Sequence, residues 1–116
     1  VEYKSPIILQ LNENFAGLKF HVVTDTTELP IIGRHLSNCV TSYAKKIVNK
    51  ECLIVTASDE ADYRICMEIR LEKKNEDGLV EKLKLVQCRG KYNKCLEGEL
   101  FFACSQWLEH NQIDRY

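Results

Sequence analysis

No two cysteines in this chain stand in a CxxC pair, although there are six: Cys39, Cys52, Cys66, Cys88, Cys95 and Cys104. The missing close pairs remove the usual ligand spacing of a structural zinc site. Most of the six fall inside apolar patterns, which points to free, buried thiols in a reducing compartment rather than to a disulfide framework. The three histidines lack metal-site spacing as well, so no metal is expected, and no motif requires a cofactor. No apolar run reaches membrane-spanning length, and nothing at the amino end resembles a signal peptide. A cytoplasmic protein with no membrane partner is the expectation. Repeats, low-complexity tracts and internal linkers are also missing. The net charge of −1 excludes a globally basic nucleic-acid binder.

What is present is enough for a folded domain. A chain of 116 residues with 45% hydrophobic and 28% charged residues supports a core without crosslinks, so residues 1–116 are read as one domain. Its first residue is Val1, and a domain excised from a longer protein is expected. Charge is unevenly spread. Leu29 to Lys50 holds four Lys/Arg and no carboxylate, and Lys82 to Lys94 holds five and none. Each stretch reads either as a solvated face or as a basic patch.

The apolar pattern gives an order of elements. Strands are expected at Ile7–Leu9 and Leu18–Val23, followed by a turn at Pro30 and Gly33. Leu36, Cys39, Val40, Tyr43, Ala44 and Ile47 recur at helical spacing. Cys52–Ala57 reads as a buried strand. Residues 62–72 alternate with a period of two, as a strand covered on one side does. The polar stretch 73–78 closes a hairpin onto residues 82–87. Pairing Met67 with Leu85 and Ile69 with Leu83 puts the apolar residues on one face and sets Glu68 opposite Lys84. A final helix buries Leu96, Leu100, Ala103, Cys104, Trp107 and Leu108, with Asn93 placed to cap it. The predicted fold is α+β: an antiparallel sheet with two amphipathic helices packed on one face.

Chemistry concentrates in Gln87-Cys88-Arg89-Gly90-Lys91-Tyr92-Asn93. A basic, Gly-containing turn between strand and helix suits an anion, because backbone N–H groups and the positive helix end meet there. Gly33-Arg34-His35 is a second such turn, and the two are expected to lie close together at one sheet edge. Continued alternation from Leu83 and Leu85 places Gln87 on the helix-covered side, either lining a pocket or bracing the loop. Arg89 and Lys91 suit a phosphate or carboxylate, and Tyr92 suits a stacked base. Cys39, with Arg34 and His35 nearby, is a candidate nucleophile. Its place in the apolar stripe counts against this and predicts a buried, slowly alkylated thiol.

Three segments resemble elements of PcfJ-like proteins. Leu36-Ser37-Asn38-Cys39-Val40-Thr41-Ser42-Tyr43-Ala44 resembles the family's hHCVxxYa element, Cys66-Met67-Glu68-Ile69 its TIE strand, and Gln87 to Asn93 its QxRGKxN element. Trp107 matches a Trp of the closing helix. The resemblance spans about residues 29–113. It implies a setting on conjugative plasmids, phages or other mobile elements, usually as the carboxy-terminal part of a longer protein, rather than a particular reaction. Asn38 departs from the pattern, standing where many members carry His before the cysteine. That counts against a Cys–His dyad and leaves a hydrogen-bonding role. The expected function is binding of a phosphate-bearing ligand, nucleic acid or a nucleotide, by Arg34, Asn38, Gln87, Arg89, Lys91 and Asn93. The alternatives are an enzyme using Cys39 and an interaction module that meets other mobile-element proteins.

Overall fold

The computed structural model describes residues 2–36 and 43–115. Six strands form one sheet whose order follows the chain: β1 (Glu13–Phe15), β2 (Leu18–Val22), β3 (Cys52–Ser58), β4 (Tyr63–Lys74), β5 (Val80–Arg89) and β6 (Asp114–Arg115). Neighbours are antiparallel except β5 and β6, which are parallel. The helices are α1 (Pro6–Leu9), α2 (Glu28–Leu36), α3 (Ala44–Val48) and α4 (Gly98–His110), with a 3-10 turn at Lys91–Asn93. The fold is α+β.

β3 decides the layering. Its residues Cys52 to Ala57 are all buried, so the strand is apolar on both sides and needs cover on both. Leu53, Val55 and Ala57 join Ile65, Met67 and Ile69 of β4 beneath α4, which contributes Ala103, Cys104, Trp107 and Leu108. The Phe20 and Trp107 rings stack there, 4.5 Å apart and 7° from parallel. Ile54 and Cys66 point the other way, into a second core with Leu29, Ile32 and Leu36 of α2 and Ile47 of α3. The helices therefore divide between two faces, and the expectation of both on one face is corrected. The run of apolar residues in β3 already carried that information.

Several elements differ from their sequence expectation for local reasons. Residues 6–9 form a helical turn, not a strand. Pro6 takes the first helical position, where no N–H is needed, and the Ser5 carbonyl accepts from the N–H groups of Ile8 and Leu9. Pro30 lies in the first turn of α2, where proline is tolerated, so residues 28–36 are helical instead of a turn. The expected helix from Leu36 to Ile47 corresponds to the end of α2 and to α3; Asn38, Cys39 and Val40 lie outside the described residues. α4 begins at Gly98 with Glu97 before it, so Asn93 caps nothing.

The β4–β5 hairpin pairs Ile69 with Leu85, Arg70 with Lys84 and Leu71 with Leu83. This register is two residues away from the expected one, and a shift of two keeps every side chain on its face. Its loop is held by Asn75, whose Oδ1 accepts from the N–H groups of Asp77 and Leu79. Beyond Leu85 the ladder gains one residue, Val86, and resumes as Glu68 with Gln87, Met67 with Cys88 and Cys66 with Arg89. A bulge of one residue exchanges the faces. Cys88 thereby turns inward beside Cys104, and Gln87 turns to the opposite face from Leu83 and Leu85. Its expected position on their side is corrected.

Candidate functional site

The face of the sheet that carries α2 and α3 presents three cross-strand rows at the β5 side. His21, Thr56, Cys66 and Arg89 form one, Ile54, Glu68 and Gln87 the next, and Cys52, Arg70 and Lys84 the third. Polarity increases toward β5, where the helices no longer cover the strands. Arg70 is exposed, while Glu68, Lys84 and Gln87 are half-buried.

Glu68 accepts a hydrogen bond from the hydroxyl of Tyr43, just before α3. Burial, reinforced by that bond, pushes the Tyr43 phenol up to about 12. Lys46 Nζ lies 5.2 Å from the centroid of the Tyr43 ring. On the neighbouring strand Gln87 Nε2 donates to Asn93 Oδ1 at 3.2 Å. Tyr92 and Asn93 both take left-handed backbone conformations, with φ of 60° and 59°. Asn tolerates that region, but a Tyr there costs about 1–2 kcal/mol. The 3-10 turn thus holds Asn93 against Gln87 and leaves the Tyr92 ring exposed, with Lys91 Nζ 5.7 Å from its centroid.

The anticipated pair of converging helix starts is not what forms. Arg34 and His35 lie in the last described turn of α2, whose amino end is at Glu28. The Gly90 N–H donates to the Lys94 carbonyl at 2.8 Å, so it is committed to its own turn and not to an anion. Proximity itself holds, since α2 packs against the turn at Lys91–Asn93. Asp62 meets His35 there: His35 Nδ1 lies 2.7 Å from its Oδ1. The Tyr63 N–H first, then His35 and Lys91, hold the Asp62 carboxyl below its usual range. His21 is similarly matched with Glu28 at 3.3 Å. Both pairs line a groove of about 440 Å³ beside α2.

The remaining sequence candidates separate. Arg34 is exposed on α2. Arg89 donates from Nη1 to the Cys88 carbonyl at 3.0 Å and lines a different cavity with Cys88, Cys95 and Cys104. Asn38 and Cys39 lie outside the described residues. Among the described residues no group of His, Cys, Asp or Glu is arranged to hold a metal ion, and no helix is long and apolar enough to cross a membrane.

A family model described as PcfJ-like protein matches residues 3–100. The chain belongs to the PcfJ-like family. Comparison with curated proteins and with solved structures finds no match. In this PcfJ-like chain the three motif segments meet in space: Tyr43 from the first, Glu68 from the second, Gln87 and Asn93 from the third. Tyr43 and Glu68 were not singled out as site residues from the sequence. The available signal was their presence within motif segments, not their local pattern, since Glu68 reads as one more polar residue on an alternating strand.

Proposed function

We propose that this PcfJ-like chain binds single-stranded nucleic acid on the sheet face that carries Glu68 and Gln87, as part of a protein of a mobile element such as a conjugative plasmid or phage. The observation that carries this reading is the cross-strand pair Arg70 and Lys84 beside the pair Glu68 and Gln87. The two cations stand side by side on one face, so a chain of phosphates running across β4 and β5 meets both. With Lys46 they spread positive charge over β4, β5 and α3, which suits a chain of phosphates better than a single nucleotide. The Gln87 and Asn93 amides offer donors and acceptors to base edges, and the Tyr92 ring offers a stacking surface.

Fluorescence anisotropy with a labelled single-stranded oligonucleotide across a salt series tests this. Arg70→Gln with Lys84→Gln should weaken binding and flatten the log–log salt slope by about 1.4, the loss of two single-strand phosphate contacts. Gln87→Ala should weaken binding by about 0.5–1.5 kcal/mol with the slope unchanged. Absence of salt-sensitive binding by the parent chain, or an unchanged slope in the double variant, overturns the proposal.

A further inference from the structure

The cavity on the other face is built around sulfur. Cys88 Sγ and Cys104 Sγ lie 3.1 Å apart, and Cys104 Sγ is 3.8 Å from Met67 Sδ. Cys88 stands on β5 just past the Val86 bulge and Cys104 is on the buried side of α4. Without the extra residue, Cys88 would face away from α4. The two thiols line a cavity of about 200 Å³ together with Arg89, Arg115 and the exposed Cys95. Cys104 is 3% exposed to solvent, and Cys88 is half-buried. A small oxidant therefore reaches them through the cavity.

We propose that Cys104 and Cys88 form a peroxide-oxidisable dithiol. The thiolate of one cysteine attacks one oxygen of hydrogen peroxide, the O–O bond breaks, and the departing hydroxide takes a proton to leave as water. The sulfenic acid so formed is attacked by the sulfur of the other cysteine, which loses its proton. An S–S bond forms, the S–O bond breaks, and a second water leaves. Two thiols are oxidised by two electrons in all and one peroxide is reduced to two waters. The geometry suits the second step, because the sulfurs need to close by only about 1 Å to reach the disulfide length of about 2.0 Å. The thiolate is the nucleophile in such reactions, and Arg115 beside Cys104 and Arg89 beside Cys88 favour the charged form.

The test treats the folded chain with equimolar hydrogen peroxide and maps its peptides by mass spectrometry. The expected product links the Cys88 and Cys104 peptides, lacks two hydrogens, reverts with dithiothreitol, and forms equally in Cys95→Ser. In Cys88→Ser and in Cys104→Ser the sulfenic acid should persist and be trapped by dimedone at the remaining member of the pair. Mapping of the unsubstituted chain needs no variant to fold. Linkage through any of the other four cysteines, or Cys88–Cys104 linkage only in denaturant, overturns the proposal.

Discussion

Glu68 is a carboxylate beside cations, and the proposed function gives it an opposing charge to overcome. Its hydrogen bond from Tyr43 fixes the phenol at the polar face. Glu68→Gln keeps an acceptor oxygen and removes the charge. The Tyr43 phenol should then ionise below its present value of about 12, yet above 10.0, because burial is the larger cause of its shift. Oligonucleotide binding should tighten at low salt. Ultraviolet titration and anisotropy read the two effects; weaker binding in this variant would count against the placement of the nucleic acid. Gln87 and Asn93 were legible in the sequence because amides beside a basic turn stand out. Their mutual hydrogen bond was not, since it depends on two successive left-handed residues, one of them Tyr92.

Apolar periodicity recovered β3, β4, β5 and α4, because each has enough buried positions to declare its repeat. α2 escaped that reading: Pro30 and Gly33 look like breakers unless the helix start is known, and one proline in a first turn costs little. The Val86 bulge was equally hidden, since nothing in the alternation marks an extra residue. The α4 layer depends on one large ring. Trp107 is fully buried, stacked on Phe20, and truncation to Ala should cost about 3–5 kcal/mol through lost burial and a residual cavity. Urea unfolding measures this, with the midpoint moving and the m-value staying constant. A loss below 1 kcal/mol would mean that α4 is not anchored through this residue.

Across the molecule, several neutral groups resist ionisation together. Burial raises the Cys52 thiol to about 11 and the Cys66 thiol to about 12, with Glu68 adding to each, and raises the Tyr3 phenol to about 12. All four folded values, counting Tyr43, exceed those of the unfolded chain, so the unfolded state holds fewer protons once pH passes the ordinary values. The stability they contribute is fully present below pH 9.0, the ordinary thiol value. It is lost as pH rises through 11 and 12. Urea midpoints should therefore fall steadily from pH 8.5 to pH 11, a trend that Cys66→Ala reduces. A flat profile would show that these groups are less enclosed than their packing indicates.

The sheet's outer strands have a bearing on how copies of the chain behave toward one another. β1 offers three residues and β6 two, so neither gives a foreign strand much length to pair with. β6 pairs with only Lys84 and Leu85 of the ten-residue β5. Along the rest of β5, Arg89 puts positive charge at that margin, and Lys82 pairs there with Asp114 of β6 at 3.1 Å. Lysine at a sheet margin discourages the ladder growth that leads to aggregation. Lys84, one of the cations assigned here to nucleic acid, lies on the same strand as this guard. Filling the site with a polyanion would weaken the repulsion between margins, so that several copies gathered on one nucleic-acid strand meet with less to keep their sheets apart.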